Sequence, residues 1–133
     1  MGRKRKIFLD TNAVIYYLKG IKGFEVLGNH KTFYYSFMTT IELLSYGDDE
    51  SRQIILDFLK KGKRININKK IIAETIEIRR HNRLKIPDAI IVASSKIVGA
   101  DLFTSDEEIL KKIDFLNIFD LLESSRSSRA VDS

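Results

Sequence analysis

Four acidic residues stand where an acid does little for solubility. Asp10 directly follows the apolar run Ile7-Phe8-Leu9, Glu42 lies four residues beyond Met38, Asp88 follows Pro87, and Asp106 comes just after Leu102-Phe103-Thr104. Each has an ordinary structural use. Asp10 can cap a following helix, and Asp88 can complement a helix dipole in a first turn. Ser105 to Glu108 has the spacing of a capping box, which makes Asp106 a first-turn acid. Glu42 lies between Ile41 and Leu43, where a carboxylate is costly unless it is exposed, paired or bound to a cation.

What these separate explanations leave over is the shared placement at strand-to-helix junctions. In open parallel sheets, ligand sites form beyond the carboxyl ends of the strands. Carboxylates converging there would repel one another and raise their own pKa values unless a cation held them together. The chain has no cysteine, so all-oxygen ligation of a hard cation, Mg2+ with Mn2+ as a substitute, suits the residues better than zinc. Such a metal would acidify bound water and neutralise charge in the in-line cleavage of a phosphodiester, with no covalent protein nucleophile. Thr11, Asn12 and Thr104 supply the nearby hydroxyl and amide groups that could orient water or the carboxylates. Turn and cap roles are equally open to those three. His30 and His81 each lack a second histidine at ligand spacing, and His81 in Arg-Arg-His-Asn-Arg reads as an exposed or phosphate-facing residue.

The elements that would position these groups alternate. Ile7 to Leu9 reads as a buried strand and Asn12 to Lys19 as a helix, with Val14, Ile15 and Leu18 at helical spacing. Thr32 to Met38 reads as an aromatic-rich strand, followed by a helix from Thr39 to about Tyr46. Asp48 to Glu50 open a further helix that ends near Gly62, and its acidic first turn suits the helix dipole. Ile65 and Ile67 alternate with polar residues in a third strand, and Ile71 to Arg79 form a helix with a basic tail. Pro87 sits at a tolerated helix-start position, and Asp88 to Val98 make an apolar helix closed by Gly99. Leu102 to Thr104, a short helix from Asp106 to Lys112 and a last strand at Asn117 to Phe119 complete the pattern. The alternation predicts an α/β fold with a mostly parallel sheet of four to five strands flanked by helices. Residues 1–123 are read as one domain, and the polar, aperiodic run 124–133 has the composition of a disordered or appended tail.

A length of 133 residues suits one domain with a hydrophobic core, and 44% hydrophobic with 31% charged residues is an ordinary globular composition. No apolar run approaches the roughly 20 residues of a membrane helix, and Ile7-Phe8-Leu9 is too short for a signal-peptide core, so a cytoplasmic protein is expected. The absence of cysteine excludes disulfide frameworks, thiolate metal sites and cysteine nucleophiles. Charge is segregated along the chain. Residues 60–85 carry ten Lys/Arg against two Asp/Glu, whereas residues 86–133 carry five against nine. The basic block, which includes Arg79, Arg80, Arg83 and Lys85, together with Arg3 to Lys6, suits capture of a phosphate backbone, although a solvated helix face would look the same. Tyr16, Tyr17, Phe33, Tyr34, Tyr35 and Tyr46 read as core or dimer contacts rather than base platforms.

Four runs, in order, resemble the PIN-domain family, and within it the VapC-like toxins of toxin–antitoxin pairs. They are Phe8-Leu9-Asp10-Thr11-Asn12-Ala13-Val14-Ile15, Thr40-Ile41-Glu42-Leu43-Leu44-Ser45-Tyr46-Gly47, Ile86-Pro87-Asp88-Ala89-Ile90-Ile91-Val92-Ala93, and Gly99-Ala100-Asp101-Leu102-Phe103-Thr104-Ser105-Asp106. The resemblance implies a PIN-like three-layer fold and metal-dependent endoribonuclease activity, with tRNA or another structured RNA as substrate. It also implies a cognate antitoxin and a homodimer. By the same resemblance Asp10, Glu42, Asp88 and Asp106 occupy the family's acidic metal-site positions, and Asn12 and Thr104 its accompanying polar ones. One departure is visible: the family often has an acid followed by phenylalanine after the fourth acid, whereas here Glu108 precedes Ile109. Two other readings compete, a PIN-like module that binds RNA or protein without cutting, and a housekeeping RNA-processing or DNA-flap nuclease.

Overall fold

The computed structural model describes residues 6–20 and 32–121. Five strands form one sheet: β1 (Ile7–Leu9), β2 (Phe33–Ser36), β3 (Lys63–Ile65), β4 (Asp101–Thr104) and β5 (Ile118–Asp120). Six helices accompany them: α1 (Thr11–Leu18), α2 (Phe37–Leu44), α3 (Asp49–Leu59), α4 (Lys69–His81), α5 (Ile86–Val98) and α6 (Glu107–Lys112). The strand order is β3-β2-β1-β4-β5 and every pairing is parallel. The chain therefore builds outward from β1 in one direction and then returns to add β4 and β5 on the other side. That reversal makes the β1–β4 crevice the topological switch point, where the carboxyl ends of such sheets form binding sites.

β1 is buried on both faces, which is why its three residues are all apolar. Phe8 packs with Leu102 into a layer formed by Ile71 and Ile78 of α4, Ala89 to Ala93 of α5 and Ile109 of α6. Ile7 and Leu9 point the other way and join Phe103, Ala13 and Val14 of α1, and Phe58 and Leu59 of α3. Helix, sheet and helix thus form the three expected layers.

The helix boundaries have local causes. Asn68 caps α4, its side chain accepting from the Ile71 N–H at 2.9 Å, and Ile71, Thr75 and Ile78 form the inward stripe. Pro87 lies in the first turn of α5, and Gly99 ends that helix at φ 77°, a left-handed conformation that suits glycine. This turn sends the chain directly into β4, whose far end carries Thr104. Among the described residues no helix is long and apolar enough to cross a membrane.

Several boundaries shift by a residue or two from the sequence reading, and three of the shifts have a local cause. β2 stops at Ser36, not Met38, because the Ser36 side chain accepts from the Met38 N–H at 3.1 Å and opens α2 two residues early. β3 ends at Ile65, and Ile67 lies beyond it, 45% exposed, because this edge strand pairs only with β2 and Asn68 already begins α4. The cap of α6 is Asp106 rather than Ser105. Residues 1–5, His30 and the tail 124–133 lie outside the described residues.

Phe8, fully buried at the centre of β1, sets the sheet against α4 and α5. Replacing it by alanine is expected to cost about 3–5 kcal/mol. Urea unfolding monitored by circular dichroism would read this as a large fall in midpoint with an unchanged slope.

Candidate metal centre

The site begins with backbone pairing. Parallel register sets Leu9 opposite Phe103, and the Asp10 N–H continues the ladder by donating to the Phe103 carbonyl at 3.2 Å. The next residue on each strand is therefore a polar one at the same sheet edge, Asp10 from β1 and Thr104 from β4. Both are buried, with Asp10 4% exposed and Thr104 fully enclosed. The Thr104 hydroxyl donates to Asp10 Oδ2 and accepts from the Asp106 N–H at 2.9 Å. One threonine hydroxyl thus connects two of the four acids.

Asp10 also caps α1, with Oδ1 accepting from the Ala13 N–H at 2.8 Å. The cap role weighed for Asp10 is therefore real, and it coexists with a place in the acidic cluster. A carboxylate has about four acceptor positions, so these two bonds leave acceptor capacity on both oxygens. Asp106 caps α6 through Oδ1 alone, accepting from the Glu108 and Ile109 N–H groups at 2.9 and 3.0 Å.

The electrostatics show which acids share one environment. Burial pushes the Asp10 carboxyl up from its ordinary 3.8 to about 6; the Thr104 hydroxyl and Ala13 N–H oppose the rise, and the negative charges of Asp106 and Asp88 add to it. The Asp88 carboxyl is also raised, first by burial and then by Asp106, with Glu42 and Glu108 contributing and Lys85 opposing. Asp10, Asp88 and Asp106 therefore form the centre of the cluster. Glu42 sits exposed at its edge on α2, close enough for its charge to reach Asp88. Its flanking residue Ile41 is itself 55% exposed, so Glu42 is not the buried acid that its apolar neighbours suggest.

The remaining candidates divide. Thr11 exchanges a hydrogen bond with Thr39 at 2.9 Å, joining the first turns of α1 and α2, and Asn12 is exposed on the next position of α1. Lys85 stands beside Asp88 at the start of α5. Arg79 and Arg80 instead line a groove between α4 and α5, and Arg79 Nε donates to the Leu84 carbonyl at 3.1 Å. Arg83 is exposed in the turn between them, where its carbonyl accepts from Lys112 Nζ at 2.6 Å. Among the aromatics, Tyr35 is buried, whereas Tyr46 is 80% exposed and belongs to no core.

Two contributors escaped the sequence reading. Thr39 is fully buried and anchors Thr11, and the Thr40 hydroxyl is buried with no hydrogen-bond partner among the described residues. The signal for both was the Thr39-Thr40 pair at a strand-to-helix junction just ahead of Glu42. Glu108 pairs with Lys112 at 2.5 Å and is held below the usual glutamate range by that lysine.

Among the described residues no three acidic or histidine side chains stand together as a ready-made cation cage, and none of the four acids has a lysine or arginine at ion-pair distance. The donor chemistry nevertheless fits a hard divalent cation: every group is a carboxylate oxygen, and burial makes the negative charge on Asp10 expensive without a positive partner.

Comparison with known proteins agrees with this architecture. The family model described as PIN domain matches residues 7–116. No curated protein sequence matches the chain. Among solved structures, a toxin–antitoxin complex from Klebsiella pneumoniae is similar at TM-score 0.74 and 22% identity, covering 86% of this chain and 97% of that one. VapBC2 from Rickettsia felis, bound to a fragment of promoter DNA, gives 0.72 and 22% over 86% and 97% of the two chains. VapBC-1 from nontypeable Haemophilus influenzae gives 0.74 and 20% over 88% and 98%. With its family match extending from β1 into the segment before β5, and with this all-parallel five-stranded sheet, the chain belongs to the PIN-domain family and has a VapC-like fold.

Proposed function

We propose that this protein is a Mg2+-dependent endoribonuclease, acting in the cytoplasm as the toxin of a toxin–antitoxin pair and held in check by a cognate antitoxin. The observation that carries the reading is the gathering of Asp10, Asp88 and Asp106, with Glu42 at the edge, at the β1–β4 switch point, where none of them has a lysine or arginine at ion-pair distance among the described residues. The resemblance to complexes named as toxin–antitoxin pairs supports the toxin role and the antitoxin partner. A housekeeping nuclease would use the same carboxylates, and a non-cutting module would have no need to keep so costly a cluster.

Asp10, Asp88 and Asp106 would hold the ion, with Glu42 closing the site from α2. A bound Mg2+ supplies positive charge against the phosphate and acidifies water for attack. The chain's own groups do the rest. Thr104 orients Asp10 and fixes the Asp106 backbone. Thr39 steadies Thr11 at the opening of α1. Lys85, beside Asp88, offers an ammonium to an RNA phosphate at the rim, and Arg83 is exposed in the same turn.

Asp10→Asn and Asp88→Asn are expected to reduce Mg2+-dependent cleavage of structured RNA or tRNA to the no-enzyme background, and chelation should do the same to the parent. Thr104→Val, which removes the hydroxyl but not the acids, should cost about 10–100-fold. Cleavage unchanged in both aspartate variants would overturn the reading, and equal cleavage of DNA would favour the housekeeping nuclease.

The same site predicts a pH-dependent stability. The folded-state pKa of Asp10 lies above its unfolded value, so the folded protein binds this proton more tightly and loses stability as pH rises from about 4 through about 6. A rise from 3.8 to about 6 corresponds to about 3 kcal/mol at neutral pH. In chelator, Asp10→Asn should therefore melt several degrees higher than the parent at pH 7.5 and show a flatter pH profile between 4 and 7. Added Mg2+ should raise the melting temperature of the parent and leave that of Asp10→Asn almost unchanged. Differential scanning calorimetry reads both effects without any substrate.

A further inference from the structure

Among the described helices, α5 opens differently from the rest. The helices α1, α2, α3, α4 and α6 each have an N-cap side chain that accepts from their own first turn, namely Asp10, Ser36, Asp48, Asn68 and Asp106. α5 has Lys85 at that position and no side-chain cap, and Pro87 in its first turn has no N–H to offer. Yet this is the helix whose first turn carries Asp88. Something else must fix where it starts.

Two cations do so from outside the helix, by holding consecutive carbonyls of the turn that leads into it. Arg79 Nε donates to the Leu84 carbonyl at 3.1 Å, and Lys112 Nζ donates to the Arg83 carbonyl at 2.6 Å. The arginine belongs to α4, the helix that runs straight into the turn, so its bond is local. The lysine comes from the last turn of α6, 29 residues further along the chain. α6 is the helix that Asp106 caps, so one ammonium joins the element that carries Asp106 to the turn that launches Asp88. Glu108, one turn back on α6, pairs with Lys112 at 2.5 Å and orients it.

We propose that Lys112 is a positioning residue that sets the separation of Asp88 from Asp106 through the Arg83 carbonyl, a role that rests on the acidic centre being a cation site. Stability alone does not account for the arrangement. The side chains of Lys112 and Glu108 are 31% and 55% exposed, and ion pairs so placed contribute little to folding. What a bond to a fixed carbonyl adds is direction. Ile109 is the one buried residue of α6, and an apolar contact is non-directional, so it holds a short helix to the core without fixing its slide or rotation. The bond from the ammonium is charge-assisted and reaches a turn already held by Arg79 and by the buried Leu84. A cation of the Mg2+ kind accepts little departure from its coordination geometry. A small slide of α6 against the start of α5 would therefore weaken a site shared by Asp88 and Asp106 and leave the fold intact.

The neighbouring Lys111 provides the control. It carries the same charge in the same last turn, and its charge also reaches Glu108, but its side chain makes no hydrogen bond or ion pair among the described residues. Isothermal titration calorimetry of the full chain with Mn2+ reads the site without any substrate. Lys112→Met is expected to weaken Mn2+ binding about tenfold, while its melting temperature in chelator stays close to that of the parent. Lys112→Arg keeps a cationic donor for the carbonyl and should restore most of the affinity, and Lys111→Met should leave it unchanged. Equal losses in Lys111→Met and Lys112→Met would overturn the inference by showing that charge, not placement, is what counts. A lower melting temperature of Lys112→Met with unchanged affinity would also overturn it, reducing the lysine to a structural tie, and so would a Lys112→Arg variant no better than Lys112→Met. A parent that binds no Mn2+ overturns the cation-site reading and this role together, whereas a parent that binds, with every variant binding alike, overturns this role alone.

Discussion

The structure depends on one buried interaction, the hydrogen bond from the Thr104 hydroxyl to Asp10 across the β1–β4 crevice. A carboxylate that is 4% exposed can persist only if its oxygens are answered, and here the partners are a strand-end hydroxyl and a helix N–H. That requirement explains the neighbourhood. β4 must return beside β1 in parallel, which demands the long α5 crossover and the left-handed turn at Gly99. The Asp10 N–H must join the ladder, and Phe103 must pack behind it with Ile7 and Leu9. The same hydroxyl then accepts from the Asp106 N–H, so the placement of the last acid follows from the placement of the first.

Much of this was legible in the residues, and the unread part has a physical pattern. Strands buried on both faces, β1 and β4, announce themselves as continuous apolar runs ended by a polar residue. α5 carries its own punctuation in Pro87 and Gly99. Edge strands do not. β3 has one half-buried residue, Ile65, and the apparent alternation that included Ile67 belonged partly to an exposed surface. The aromatic run at β2 concealed the helix start because Phe37 and Met38 are apolar for packing reasons, against the α4–α5 layer, and Ser36 ends the strand through its side chain. Propensity yields to a cap and to tertiary contacts in such places.

The acids show the same limit in sharper form. Sequence could place all four at junctions but could not show how buried each one is. Glu42 looked the more constrained because its neighbours are apolar, yet a short helix presents Ile41 and Glu42 alike to solvent. A capping box seemed enough to account for Asp106, yet its charge bears on both Asp10 and Asp88. Burial and through-space charge are properties of the packed chain and leave no local mark.

Capping and clustering turn out to be compatible because of how the acids are oriented. A cap at the start of a helix needs one oxygen, and the helix N-terminus itself favours a negative charge nearby. Asp10 on α1 and Asp106 on α6 each satisfy a helix with Oδ1. The two helices thereby pin the acids where mutual repulsion would otherwise spread them, at the cost of a raised pKa on the more buried one. Stability and site chemistry are thus set against each other at Asp10. The carboxylate that orders α1 is also the one whose charge the fold least tolerates, and a cation brought to its open acceptor positions would reverse that sign without altering a single cap.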